Sequence, residues 1–120
     1  MKIGIVGYRY FTDYKKFCEY ISEIQKYYPI DKWDLIISGQ AQGADTLAKK
    51  YADDNNIDCI EFPAQWLKYG SPKAAHVRNQ LIVNHSDIII AFVSKKSKGT
   101  YDTIRRAKEK KKILYVIEID

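Results

Sequence analysis

The stretch "DIIIAFV", residues 87 to 93, constrains the fold of this chain more than any other. It is an almost continuous apolar run, without the polar alternation of a strand that exposes one face to water. Such a run is typical of a strand at the middle of a parallel sheet, where both faces are covered. The rest of the chain decides whether a sheet of that kind can form.

Apolar runs and helical patterns alternate on either side of it. Strands are predicted at residues 2–7, 33–38, 57–62, 87–93 and 113–119, and helices at about 13–28, 44–52, 72–85 and 100–111. Thr12 or Asp13 can cap the first helix, and Pro29 should end it. Residues 63–74 are predicted to be irregular. The buried side of the third helix is expected to carry Ala74, Val77, Leu81 and Val83 or Asn84.

This alternation predicts one doubly wound α/β domain over residues 1–120, with about five mostly parallel strands and helices on both faces. A composition of 46% hydrophobic and 29% charged residues agrees with a globular protein. No run approaches the roughly 18 apolar residues of a membrane span, and the N-terminus lacks a signal-peptide pattern, so we expect a cytoplasmic location and no membrane partner.

The cysteine and histidine content bears on metal binding. Cys18 and Cys59 are expected to be small core residues, and the sequence has neither a CxxC pair nor clustered histidines. His76 and His85 lack an evident acidic or nucleophilic partner in the sequence. We therefore expect no metal site and no cofactor.

The chain is basic, with a formal net charge of +5 that comes largely from "KKSK" and "KEKKK". A basic balance favours an anionic partner, whether nucleotide, phosphate or nucleic acid, without choosing among them. The lysines of "KEKKK" also suit a solvated helix C-terminus.

Glycine-rich polar loops follow the first, second and fourth predicted strands, in "GYRYFTD", "SGQAQGAD" and "SKKSKGT". In a doubly wound sheet, the ligand crevice lies beyond the carboxyl ends of the strands. We therefore expect Gly7, Gly39 and Gly99 to converge at one edge of the sheet.

The loop "SGQAQGAD" suits an anion. Gly39 and Gly43 let backbone N–H groups face a ligand, and a helix beginning near Ala44 adds its partial positive charge. Asp45 would cap this helix or bind a ribose hydroxyl, although a plain glycine turn has the same pattern. The loop with Ser97, Gly99 and Thr100 repeats the arrangement. Neither a Walker A motif nor a GxGxxG fingerprint is present, which disfavours kinase-like and dehydrogenase-like functions.

Two arginines lie near these loops. Arg9 follows the first strand, and Arg78 precedes Asn79 on the third helix; both guanidinium groups suit phosphate or carboxylate, or are simply solvated. Trp66 and Tyr69 could stack on a base or cover a core edge.

Five segments, "VGYRYFTD", "SGQAQGADTLAKKYA", "FPAQWLKYG", "RNQLIVNHSDIIIAF" and "SKGTYDTIRRA", resemble the YspA-like family of the SLOG superfamily. That superfamily takes its name from the Smf/DprA and LOG proteins. The resemblance implies a Rossmann-like fold that binds nucleotides or their derivatives, and it makes a homodimer plausible. It implies a site at Gly7, Arg9, Ser38, Gly39, Gly43, Ala44, Asp45, Arg78, Asn79, Gly99 and Thr100. Trp66 and Ser97 complete the ligand-binding set, and the space left by the small residues of "SGQAQGAD" would hold ligand.

The sequence departs from the LOG enzymes, whose PGGxGTxxE motif supplies an acid. "KSKGTYDTI" keeps the GT, but Thr103 or Ile104 stands in the glutamate position, and Asp102 is the nearest carboxylate. We therefore expect a nucleotide-binding sensor or sequestering protein. One alternative is an enzyme acting at the N-glycosidic bond of a nucleotide, with Asp45 or Asp102 as catalytic carboxylate. Another is a nucleic-acid binder of the Smf/DprA type.

Overall fold

The computed structural model describes residues 1–39 and 42–120, so Gln40 and Ala41 of the second glycine-rich loop lie outside the described residues. The strands are β1 (Lys2–Gly7), β2 (Leu35–Gly39), β3 (Asp58–Phe62), β4 (Ile88–Val93) and β5 (Ile113–Glu118). The helices are α1 (Tyr14–Gln25), α2 (Ala44–Asp54), α3 (Trp66–Tyr69), α4 (Lys73–His85) and α5 (Gly99–Glu109), with a 3-10 turn at Ile30–Lys32.

The five strands form one sheet in the order β3-β2-β1-β4-β5, and every neighbouring pair is parallel. Gly4 of β1, for example, lies opposite Ile37 of β2 and Ile89 of β4. This arrangement confirms the predicted Rossmann-like α/β fold. The strand order changes direction between β1 and β4, and ligands of doubly wound sheets bind at such a point.

The strand β4 forms the centre of the core, as its composition predicted. All six of its residues are buried, and successive side chains point to opposite faces of the sheet. Ile88, Ile90 and Phe92 pack in the cluster that includes α1 and α2. Ile89, Ala91 and Val93 pack in the cluster that includes α4 and α5. Helices therefore cover both faces.

Two expectations about the first helix and the cysteines need correction. Asp13 caps α1 by accepting a hydrogen bond from the Lys16 N–H at 3.1 Å, but the helix ends at Gln25, ahead of Pro29. One helical bond still reaches Tyr28, whose N–H donates to the Ile24 carbonyl at 3.1 Å, and Pro29 has no N–H with which to continue the series. Cys18 and Cys59 are free thiols and only partly buried, since Cys59 lies on the edge strand β3.

The predicted buried side of α4 is partly wrong. Ala74 and Val83 face the core as expected, and Ile82 lies beside them, but Val77 and Leu81 line an outer groove between α4 and α5. The helix carries apolar residues on two sides, so its spacing alone could not distinguish them. Packing against the sheet selects one side.

The segment predicted to be irregular contains the short helix α3 at its centre. The longest helix, α4, has 13 residues. Within the two described ranges, no helix combines the length and the apolar character needed to cross a bilayer.

Candidate functional site

A cleft of about 570 Å³ lies beyond the carboxyl ends of β1 and β4, where the strand order changes direction. Its walls come from the end of β1 and the loop after it, the first turn of α2, one side of α4, and the loop and first turns of α5. Eight predicted site residues line it: Gly7, Arg9, Asp45, Arg78, Asn79, Ser97, Gly99 and Thr100. The other predicted residues lie behind or beside it.

At Gly43, protein fills the space that the sequence predicted for ligand. Gly43 has a φ of 74°, and a Cβ there would collide with the backbone carbonyl groups of Tyr8 and Arg9. The Ala44 N–H donates to the Tyr8 carbonyl at 3.3 Å, and the Ala44 side chain packs against Gly7. The small residues Gly43 and Ala44 therefore leave room for the loop that follows β1.

Gly39 acts from behind the cleft by leaving room for an arginine. A Cβ at Gly39 would lie 2.6 Å from Nη1 of Arg78 and 2.9 Å from Oδ2 of Asp45. The hydroxyl of Ser38, which is fully buried beside it, donates to the Gly39 carbonyl at 3.1 Å. The end of β2 thus leaves room for the side chains of Arg78 and Asp45, which line the cleft.

Arg78 presents its guanidinium to the cleft. Its Nε donates to Oδ1 of Asn79 at 2.8 Å. Neither terminal nitrogen makes a hydrogen bond or an ion pair within residues 1–39 and 42–120. Two donors of a fixed planar group are therefore available to an anion.

The loop between β4 and α5 is held by short-range bonds and by the end of the chain. The Ser94 N–H donates to Oγ of Ser97 at 2.9 Å, and Oγ of Ser94 donates to Oδ2 of Asp120 at 2.8 Å. The Ser94 hydroxyl, together with the Lys95 N–H at 3.0 Å, lowers the pKa of the Asp120 carboxyl. Lys96 and Lys98 of this loop are exposed and line the cleft.

The first turns of α5 are open toward the cleft. A Cβ on Gly99 would meet no heavy atom within 4 Å. Thr100 and Thr103 are 8% and 1% exposed, and both line the cleft. In the described part of the chain, neither threonine hydroxyl has a hydrogen-bond partner. These hydroxyls and the uncapped N-terminus of α5 can serve an anionic ligand.

Sequence reasoning missed two tyrosines, two lysines and Thr103 in the lining. Tyr8 and Tyr10 form an edge-on pair with ring centroids 5.4 Å apart, and the Arg9 guanidinium lies 5.2 Å from the Tyr10 ring. Lys96 and Lys98 complete the positive lining. The aromatic residues that flank Arg9 in "GYRYF", and the lysines of "KKSK", were the available signals.

Four aromatic and histidine residues that the sequence singled out, Trp66, Tyr69, His76 and His85, do not line the cleft. Trp66 lies on α3 and is 53% exposed, and the Tyr69 ring contacts the ammonium groups of Lys68 and Lys73. His76 lines the outer groove. Nδ1 of His85 lies 2.8 Å from the Leu81 carbonyl.

Asp102 lies beside the cleft with both carboxylate oxygens engaged. Oδ2 accepts from Nε of Arg106 at 2.8 Å and from Nδ2 of Asn79 at 3.0 Å, while Oδ1 accepts from Arg105 at 2.8 Å. Burial acts to raise the pKa of this carboxyl, but the hydrogen bonds from Arg106, Asn79 and Arg105 outweigh it and hold the pKa at about 2. The Asp102 carboxylate is therefore charged at neutral pH and is held in place by three hydrogen bonds.

Four cations, Arg9, Arg78, Lys96 and Lys98, line the cleft together with one carboxylate, that of Asp45. Asp45 is only 7% exposed. The cleft therefore favours a ligand that carries negative charge.

The sequence also matches a known family. The model of the YspA, cpYpsA-related SLOG family matches residues 1–69. The chain belongs to this family. No curated protein sequence matches this SLOG chain significantly.

Two solved structures resemble the SLOG chain in fold. DNA processing protein A (DprA) from Streptococcus pneumoniae aligns over 96% of this chain, with a TM-score of 0.75 and 19% identity. DNA processing protein A from Helicobacter pylori, which has been described in a single-stranded DNA binding mode, aligns over 97%, with a TM-score of 0.71 and 21% identity. The chain spans 49% and 64% of those proteins, respectively.

The SLOG match covers one half of the cleft. Gly7, Arg9 and Asp45 fall within residues 1–69. Arg78 and the loop between β4 and α5 lie beyond them and complete the other half.

Proposed function

We propose that this SLOG family member binds a nucleotide or a nucleotide-derived ligand in the cleft, as a sensor or sequestering protein. The observation that supports this most strongly is the cleft's lining of four cations beside two tyrosines. Its volume of about 570 Å³ is typical of small-molecule sites, which range over roughly 300 to 1,000 Å³. Guanidinium and ammonium groups suit phosphates, and tyrosine rings suit a base.

The proposed ligand has one polar and one aromatic part. Arg78, the hydroxyls of Thr100 and Thr103 and the first-turn N–H groups of α5 bind its phosphate, since all are donors on one side of the cleft. Open space at Gly99 lets the phosphate approach the helix. Arg9 and Tyr8 lie nearest to the base, and Asp45 accepts a hydrogen bond from a ribose hydroxyl.

The remaining predicted ligand-binding residues take a supporting part in this proposal. Ser38, Gly39, Gly43 and Ala44 shape the walls from behind. Trp66 takes no part, because α3 contributes no residue to the lining.

Calorimetric titration with AMP, ADP-ribose and adenosine tests the proposal. We expect AMP or ADP-ribose to bind more tightly than adenosine, which lacks a phosphate. Arg78→Ala should weaken binding roughly tenfold to a hundredfold, because a charged hydrogen bond contributes about 1.5 to 3 kcal/mol. Lys110→Ala, at the far end of α5, removes the same charge outside the cleft and should change nothing. Absence of binding by the unchanged protein, or equal affinities for Arg78→Ala, would contradict the proposal.

The enzymatic alternative depends on Asp45. Cleavage of an N-glycosidic bond needs a carboxylate that reaches the anomeric carbon, and Asp102 already accepts hydrogen bonds on both oxygens. Chromatography after long incubation with AMP tests this alternative. Release of adenine that Asp45→Asn abolishes would make the protein an enzyme. Binding without adenine release supports the sensor.

Nucleic acid is a second candidate ligand, because exposed aromatic and basic residues lie at the mouth of the cleft. Tyr10 is 64% exposed beside Arg9, and the exposed Lys95 and Lys96 lie on the opposite loop. Exposed rings between cations suit single-stranded nucleic acid, and the Helicobacter relative is described as binding single-stranded DNA. Oligothymidylate that competes with AMP in a salt-dependent way would favour this function.

A cytoplasmic location and a homodimer belong to the same proposal, and cell fractionation and light scattering test them.

A further inference from the structure

We infer that Asp102 is a positioning residue that orients the guanidinium of Arg78 through the side chain of Asn79. The consequence for ligand affinity rests on the proposed function, whereas the orientation of Arg78 does not. Asp102 itself does not line the cleft, so it can act only through another residue.

A continuous series of hydrogen bonds joins these residues across the contact between α4 and α5. Nε of Arg78 donates to Oδ1 of Asn79 at 2.8 Å, and Nδ2 of Asn79 donates to Oδ2 of Asp102 at 3.0 Å. Asn79 is 4% exposed. The Asn79 amide therefore hydrogen-bonds to both neighbours, because an unpaired buried polar group costs free energy.

The chemistry of the three groups fixes the direction of every bond. The carboxylate of Asp102 only accepts, and the guanidinium of Arg78 only donates. The amide of Asn79 must therefore turn its NH₂ toward Asp102 and its oxygen toward Arg78. An amide in place of Asp102 could donate as well as accept, so only Arg78 would then constrain the orientation of Asn79.

The far end of the series is anchored on α5. Nε of Arg106 donates to Oδ2 of Asp102 at 2.8 Å, and Nη1 of Arg106 donates to Oε1 of Gln80 at 2.9 Å. The side chains of Asp102 and Arg106 are only 17% and 19% exposed. At the near end, Gly39 leaves the space in which the Arg78 guanidinium lies. Both ends of the series are thus held in place.

The first test uses no ligand. Proton exchange at Nε of Arg78, measured by NMR, should be slow in the unchanged protein because the N–H is hydrogen-bonded to Asn79. We expect it to be roughly tenfold faster or more in Asp102→Asn. Asp58→Asn is the matched control, since it makes the same change at an exposed position on β3 that has no hydrogen bond to the series; it should leave the exchange unchanged. Equal exchange in Asp102→Asn and the unchanged protein would overturn the inference.

The second test is a double-mutant cycle read as AMP affinity. Asp102→Asn should weaken AMP binding roughly threefold to tenfold, and it should have no effect in an Arg78→Ala background, because coupled residues are non-additive. An equal loss in both backgrounds would overturn the inference. If Asp102→Asn does not fold, Arg106→Lys keeps the charge but loses the Nε bond, and it should give a smaller loss with the same dependence on Arg78. Absence of AMP binding by the unchanged protein would count against the proposed function, while the exchange measurement would still decide the orientation of Arg78.

Discussion

The segments that lead into α2 and α5 have similar sequences, but their glycines, Gly43 and Gly99, have different surroundings. Each brings a glycine to the start of a helix, and both helices lack a side-chain cap. At Gly43, backbone from the loop after β1 fills the space that a side chain would occupy. At Gly99, that space is open.

This difference shows what a glycine-rich turn specifies. The absence of a Cβ lets another group approach the backbone closely. Whether that group is protein or ligand depends on segments distant in sequence. In this chain, Gly43 serves packing and Gly99 faces the cleft.

The largest effect should come from Gly43→Ala. The positive φ and the collision with the backbone after β1 should together lower the free energy of unfolding by about 2 to 5 kcal/mol. Gly99→Ala is the matched control and should change it by less than about 0.5 kcal/mol, because the added methyl group meets open space. Urea unfolding measures both. Similar losses for the two variants would remove the distinction between the turns.

A smaller effect on stability should come from Asp102, which forms ion pairs with Arg105 and Arg106 on α5. The pKa of Asp102 is lowered from 3.8 to about 2, so its ion pairs stabilise the fold fully above pH 4 and lose their contribution as the pH falls toward 2. Asp102→Asn should therefore lower the free energy of unfolding by about 1 to 2 kcal/mol at pH 7, allowing for solvent screening. The difference from the unchanged protein should shrink between pH 4 and pH 2.

Urea unfolding at pH 7 and pH 3 measures this dependence. Asp58→Asn, at an exposed position on β3, is the control and should show no comparable change. A deficit of Asp102→Asn that is the same at both pH values would contradict the assignment.

The smallest effect on stability should come from Gly39→Ala, at the end of β2. The added methyl group meets the ends of two side chains, Nη1 of Arg78 and Oδ2 of Asp45, which must both shift, so stability should fall by about 1 kcal/mol. Displacement of the guanidinium should weaken AMP binding roughly threefold to tenfold. Calorimetry and urea unfolding separate the two effects. The affinity loss should disappear in an Arg78→Ala background, and its persistence there would show that Gly39 acts by another route.

Local patterns in the sequence predicted the fold. The uninterrupted apolar run of β4 implied a strand covered on both faces, and alternating helical spacing implied parallel connections. Because parallel strands end at the same edge, the positions of loop residues such as Arg9 and Thr100 at one cleft followed from order along the chain. Tyr8 and Lys96 were missed because aromatic and lysine residues in loops are common.

The parallel sheet, its two covered faces and the edge at which polar loops meet could all be predicted from the sequence, because periodicity and the alternation of strands with helices are properties of residues near one another in the chain. The buried side of α4, the glycine that faces open space and the partners of Asp102 depend on how distant segments pack. Asn79 and Asp102 stand 23 residues apart, and their bond forms only because α4 and α5 pack side by side. Contacts of that kind depend on the packing of whole helices, which no local pattern records.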